Sequence, residues 1–278
     1  MHNESLNKTK NLSCFFGISD GERTSLAVEY IFYELLTYIH FLLAYFNFVP
    51  MWTFVIGVIV YIPRWMICLH EMQHHFTPKT INPITRLNLL SLTLLQLGFV
   101  EMRDIHMRHH AHPAKPQDPE YYHIKGHWLA GWINVMFSPE ISTYHWLKKK
   151  KMDDEFKRGV SIRFILFVSL AFAFGWSFLW YLIPVRLAYG SCLYFFSYGL
   201  HRKNGDYGTF AIEYPLWLKI IASLVYGEKL LQSVSEHDIH HDYPTIPGQY
   251  LRASRPWYTP RASRQRQINP VTLETQEA

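Results

Sequence analysis

Nine histidines fall in three short clusters: His70-Glu71-Met72-Gln73-His74-His75, His106-Met107-Arg108-His109-His110 and His237-Asp238-Ile239-His240-His241. Their spacings are HxxxHH, HxxHH and HxxHH. On a helix, residues three or four apart lie on one face, so each cluster can aim two or three imidazoles at one point. Neutral imidazole is the commonest metal ligand among side chains and suits Fe, Zn, Cu and Ni. A catalytic zinc takes about three protein ligands. Nine imidazoles exceed that and suit two metals. One buried histidine is ordinarily a hydrogen-bonded core residue; nine in three matched patterns are not explained that way. Ligating imidazoles need acceptors for their second nitrogen. Glu71, Glu101, Asp104, Asp118, Glu120, Glu236, Asp238 and Asp242 lie close enough in sequence to serve.

The elements that must position these clusters read as membrane helices. Four apolar stretches, at about 26–48, 51–69, 160–183 and 187–200, predict four spans arranged as two hairpins. The first is interrupted by Glu29, Glu34 and His40, and the fourth is short. Leu87 to Val100 is too short to cross and reads as a re-entrant or interfacial helix. Leu216 to Val234 is amphipathic and reads as lying on the membrane surface. Lys and Arg concentrate between spans two and three, densest at Lys148 to Lys151, and again at Arg202 and Lys203. The positive-inside rule then places both termini and all three clusters on the cytoplasmic side. The expected fold is an all-α integral membrane protein whose two hairpins carry a cytoplasmic helical cap with a two-metal site. A polar segment, 1–25, precedes the domain at 26–250, and a polar tail, 251–278, follows it.

Composition narrows the function. The 278 residues are 49% hydrophobic and 17% aromatic, too apolar for a disordered chain. The net charge of +5 reflects basic residues flanking apolar spans, so it points to membrane topology rather than to nucleic acid. Three dispersed cysteines, Cys14, Cys68 and Cys192, make neither a disulfide framework nor a zinc ribbon. Asn-x-Ser/Thr triplets at Asn3, Asn7 and Asn11 fall on the expected cytoplasmic side. His112, His123, His127 and His145 match no cluster and read as loop or surface residues.

As a set, the clusters resemble the three histidine boxes of the membrane fatty acid desaturase superfamily. That superfamily includes acyl desaturases, fatty acid hydroxylases and carotenoid ketolases. Gln117-Asp118-Pro119-Glu120 is similar to an acidic element that follows the second box there. The third box runs on into Asp242-Tyr243-Pro244, as it often does in the family. The resemblance covers roughly residues 26–250. It implies a metal set of His70, His74, His75, His106, His109, His110, His237, His240 and His241, with His201 as a tenth ligand near the end of the fourth span. It implies two iron ions, O2 as co-substrate, and oxidation of an unactivated C–H bond of a fatty-acyl or other lipid chain. Desaturation leads, with hydroxylation or carotenoid ketolation as alternatives. No cytochrome b5-like, flavin or iron–sulfur motif is present, so a separate donor such as a ferredoxin or cytochrome b5 is implied.

Two rivals come from the residues themselves. His70-Glu71-Met72-Gln73-His74 is a literal HExxH, the motif of a zinc metalloprotease with Glu71 as general base. It leaves the two HxxHH clusters unexplained. A metal transporter would place ionisable groups at the membrane midplane, and Glu29, Glu34 and His40 in the first span are the residues that would support it.

Overall fold

The computed structural model describes residues 12–149 and 152–260. Lys150 and Lys151 of the basic run, Arg261, Arg264 and Arg266 of the tail, and Asn3, Asn7 and Asn11 lie outside the described residues. The chain is mostly helical, and its one sheet among the described residues pairs β1 (Arg202–Lys203) with β2 (Asp206–Tyr207).

Helix α1 (Asp20–Tyr45) begins at a capping box in which Ser19 Oγ accepts from Glu22 N and Glu22 accepts from Ser19 N. Its buried positions, Leu26, Tyr30, Glu34, Thr37, Phe41 and Ala44, step by three or four. Helix α2 (Met51–His75) faces them with Phe54, Val58, Ile62, Trp65, Leu69 and Met72. Between them Asn47 takes a left-handed φ of 61° and closes a tight hairpin. Both helices are long and apolar enough to cross a membrane. The polar groups in α1 are absorbed by packing. Buried Glu34 accepts from Trp65 Nε1 at 3.3 Å and Leu90 N at 3.2 Å, and Glu29 pairs with Lys229 at 3.0 Å. His40 bonds Tyr61 and Thr53. Each of the three residues that a transporter would need is thus partnered within the fold.

A third apolar stretch, Asp154–Gly199, is also long enough to cross. It bends at Gly175, where φ is +52°, into α7 (Asp154–Phe174) and α8 (Leu179–Tyr194). Arg163 on one arm binds Gln96 O, and Arg186 on the other binds Leu92 O. Ring contacts fix the path: Phe174, the last residue of α7, packs on Tyr45 at 4.8 Å, beside the hairpin turn, and Tyr181 and Tyr189 of α8 then pack on Tyr38 at 5.4 Å and Trp65 at 6.5 Å. The second arm therefore folds back along α1 and α2. The sequence placed this turn at Pro184–Arg186; the break lies instead at Gly175–Phe178. Pro184 is accommodated inside α8, whereas the positive φ at Gly175 stops α7.

Leu87 to Val100 is not the helix its apolar run suggested. A single turn, α3 (Pro83–Leu87), stops at Asn88, which is left-handed with φ 55°. The chain then runs irregularly to α4 (Phe99–Ala111). Buried irregular backbone needs partners from elsewhere, and this stretch has them. Leu87 O and Gln96 O accept from Arg163, Leu89 O from Tyr38, Leu92 O from Arg186 and Leu95 O from Thr143. Two arginines, Arg163 and Arg186, anchor this segment from the folded-back arms.

The remaining α-helices among the described residues are α5 (Trp128–Met136), α6 (Ser138–Lys149), α9 (Leu216–Tyr226), α10 (Glu228–Ser235), α11 (His237–Asp242) and the single turn α12 (Leu251–Ser254). The amphipathic stretch 216–234 is split at Gly227, φ 88°. Helix α9 buries nothing, while α10 is buried along most of its length.

Candidate metal centre

The histidine clusters meet where α2, α4 and α11 converge. On α2, His70 and His74 are one turn apart on the face next to the core stripe. Arg103 of α4 donates to Phe76 O at 2.8 Å and ties α4 to the end of α2. That contact brings His106 against His74, Nε2 to Nε2, at 2.9 Å. Just before His201 the helix widens into a π turn at Phe195–Gly199, a distortion often found beside functional sites.

Two groups of ring nitrogens form. His70, His74, His106, His110 and His240 lie within 4.8 Å of one another, as do His109, His201 and His241. His237 joins the second group, its Nε2 3.1 Å from His201 Nε2 and its ring 4.5 Å from that of His241. The sequence aimed each cluster at one point; the structure divides them. In α4 the i,i+4 pair His106 and His110 serves the first group, while His109 turns to the second. In α11 the i,i+4 pair His237 and His241 serves the second group, while His240 turns to the first. Residues i and i+4 differ by about 40° around a helix, whereas i+3 and i+4 differ by about 100°. One HxxHH helix can therefore supply two adjacent centres.

His75 enters neither group. Its Nε2 faces Glu71 Oε2 at 3.8 Å. Glu71 is itself buried, and accepts from Gly248 N at 2.9 Å and from Ser233 Oγ at 3.4 Å. Those contacts occupy the carboxylate that a protease would need as its general base. His70 and His74, meanwhile, meet three more imidazoles than such a site uses.

The acceptors sort unevenly. His109 Nδ1 donates to Asp118 Oδ2 at 2.8 Å, and Asp118 is held in turn by Ala114 N and Glu120 N. Glu120 Oε2 lies 3.7 Å from the same ring, and burial pushes the Glu120 carboxyl up to about 6 despite the nearby imidazole. His201 Nδ1 bonds Gly208 O at 2.8 Å, and His237 Nδ1 bonds Ser233 O at 3.3 Å. Of the other acidic candidates, Glu101 caps Gly98 N and Asp104 pairs with Arg108. Glu236 and Asp238 bind Arg255, and Asp242 accepts from Tyr258.

His123 lies in a 3-10 turn (Tyr121–His123) of the α4–α5 connection but is fully buried, not at the surface. Its Nε2 meets Ser138 Oγ at 3.0 Å and its Nδ1 meets Ser197 Oγ at 3.2 Å, so it braces the π turn that leads to His201. Burial lowers its pKa to about 3. No spacing motif could have marked it, because its partners lie 15 and 74 residues away.

A metal fits these residues. Burial first, then neighbouring imidazoles, hold His106, His110, His201, His240 and His241 well below the ordinary imidazole value, and His237 at about 3. Neutral rings keep a lone pair for a cation. At metal–nitrogen bonds of about 2.1 Å, neighbouring ligands sit about 3.0 Å apart in an octahedron and about 3.4 Å in a tetrahedron. The 2.9 and 3.1 Å nitrogen contacts fall in that neighbourhood. Both nitrogens of buried His240, and Nδ1 of His74, have no hydrogen-bond partner among the described residues. Leaving such groups unmatched costs about 1–3 kcal/mol each, which ligation of one nitrogen would offset.

The chain matches the fatty acid desaturase family model over residues 44–268. This protein belongs to the fatty acid desaturase family. The match spans all three histidine clusters and the folded-back arms. It makes the protein a member of a family of oxidoreductases with histidine-rich metal sites. No curated protein and no solved structure matches the chain.

Proposed function

We propose that this desaturase-family protein oxidises an unactivated C–H bond of a lipid acyl chain, using O2 and two irons held by nine histidines. The first iron takes His70, His74, His106, His110 and His240, and the second takes His109, His201, His237 and His241. Desaturation is the reading we favour. What carries it is the pairing of two mostly buried imidazole sets on shared helices, beside a cavity with an apolar wall. That cavity meets the histidines at His70, His106, His109, His201, His237 and His241, and runs along Met66, Leu69, Leu92, Leu97 and Leu193.

Bound iron would supply O2 reduction and the oxidising equivalents. The chain's own residues position and insulate. Asp118 fixes the His109 ring by taking its Nδ1 proton as a hydrogen bond, leaving Nε2 to ligate. Gly208 O does the same for His201. The leucines and methionine along the cavity exclude water and hold a hydrocarbon still against the metals. We further propose that the two arms at Asp154–Gly199 cross the membrane separately, giving four crossings, and that the histidine face is cytoplasmic. There a separate ferredoxin or cytochrome b5-type donor would deliver electrons.

Elemental analysis of the purified protein, paired with acyl profiling of an expressing host, tests the reading. Near two irons per chain and a new double bond support it. A hydroxylated chain or a ketocarotenoid in a carotenoid-producing host would redirect it within the family. One zinc per chain without iron, and no oxidised lipid, would overturn it.

A further inference from the structure

The histidine-lined cavity is small, about 130 Å³. Pockets that hold a drug-sized ligand run to about 300–1,000 Å³, so an acyl tail must extend beyond this one. A second cavity of about 690 Å³ lies between α2, α8, α9 and α10. Its wall is almost wholly apolar, with Val58, Ile59, Leu187, Ala188, Ala222 and Leu230 among its residues. Phe196 alone, among the described residues, lines both cavities. Its ring stands 6.1 Å from that of His70, and it sits in the π turn where the helix backbone is already distorted.

The roof of this second cavity is unusual. Helix α9 presents Leu218, Ala222 and Tyr226 inward, yet exposes Leu216, Trp217, Ile220, Ile221 and Leu224 on its outer side. It buries no residue and is tied down at its C-terminal end, where Arg64 donates to Val225 O at 2.7 Å and to Leu224 O at 3.1 Å. A helix apolar on both sides suits hydrocarbon on both sides: bilayer outside and a lipid tail within. Ile59 and Leu187, half exposed at the cavity's rim, open it toward the apolar surface of the spans.

We propose that the cavity beneath α9 seats the substrate's hydrocarbon tail, received sideways from the bilayer, and that Phe196 is the wall across which the tail reaches the histidines. This rests on the oxidase reading, but the labelling test needs neither iron turnover nor O2, so the two can fail separately. Full-length protein in host membranes is exposed to palmitic acid bearing a terminal diazirine, irradiated, and mapped by peptide mass spectrometry. The expected result is insertion into residues 184–196 and 216–234 that excess unlabelled palmitate displaces. Leu187→Trp and Ala222→Trp, which fill the cavity far from the histidines, should each remove that label while iron content stays unchanged. Phe196→Ala should extend labelling to peptides carrying Leu92 and Leu97. Label that ignores competitor and both tryptophans, spread over the outer faces of α1 and α7, would mean bilayer hydrocarbon only and would overturn the proposal. So would competable labelling confined to another part of the chain.

Discussion

The two histidine groups draw on the same helices but are held in different ways. The second group is backed by acceptors: Asp118 behind His109, Gly208 O behind His201 and Ser233 O behind His237. In the first group, His70 Nδ1 lies 3.6 Å from Glu71 Oε1, but His74 Nδ1 and both nitrogens of His240 have no such partner among the described residues, and helix geometry aims those rings. A ring fixed by a hydrogen bond keeps its tautomer and angle without metal; a ring fixed only by its helix is ordered largely by the cation. The second site should therefore be the more preorganised and the tighter of the two, and the first the more dependent on loading.

Removing one ligand from each group breaks that comparison most forcefully. If the proposed pair of irons acts together, His110→Ala and His241→Ala should each reduce activity to background. Their metal contents should differ in kind. His110→Ala should retain close to one iron per chain, and His241→Ala should approach none once the better-anchored site is lost. Equal iron loss in both variants would remove the asymmetry. Retained turnover in both would remove the ligand assignment.

Asp118→Ala is the sharper, smaller test. Loss of a partner behind a ligating histidine costs about 10- to 100-fold in metal affinity or activity. The deficit should fall on one iron per chain, and chelator challenge should release that iron first. Asp118→Asn should recover part of it, since an amide oxygen can still accept from His109 Nδ1. If chelation instead releases both irons at one rate, Asp118 acts on the fold as a whole.

How much of this was visible beforehand follows from which interactions are local. The boxes, the first hairpin and Asp118 could be read because i,i+3 and i,i+4 spacing, apolar length and the neighbourhood of a motif all live within a few turns of chain. The split of each HxxHH between two centres could not, since it depends on what faces each side of α4 and α11. Leu87 to Val100 misled for a related reason. Its apolar content is that of a buried helix, but Arg163, Arg186 and Tyr38 satisfy its carbonyls from sites 51 to 94 residues away, leaving it free to be irregular. His123 was invisible because only the assembled fold puts Ser138 and Ser197 beside it.

His123 also supplies a pH test of the second group's bracing. Its pKa is about 3 in the fold against about 6.5 in an unfolded chain. The folded state therefore binds fewer protons than the unfolded state between those values. The stability tied to the neutral ring is complete above pH 6.5 and is lost as pH falls toward 3, by about 1.4 kcal/mol per unit at the steepest. Thermal denaturation of wild type and His123→Gln at pH 7.5 and 5.5 reads this directly. The wild type should lose about 1 kcal/mol more than the variant over that interval. A parallel loss in both would place the acid sensitivity elsewhere.

The smallest expected effect belongs to His75, and it separates a doubled histidine in sequence from a ligand in space. His75 is one residue past His74, about 100° around the helix, and faces Glu71 rather than either group. His75→Ala should leave iron at two per chain. It removes one neighbour from a Glu71 carboxylate still held by Gly248 N and Ser233 Oγ, so the expected change in turnover is within about twofold, the ordinary range for losing one of several partners. His74→Ala, one position earlier, should abolish both iron at the first site and activity. If the two variants behave alike, the first box acts as a unit of three, and α2 must rotate on loading to bring His75 round.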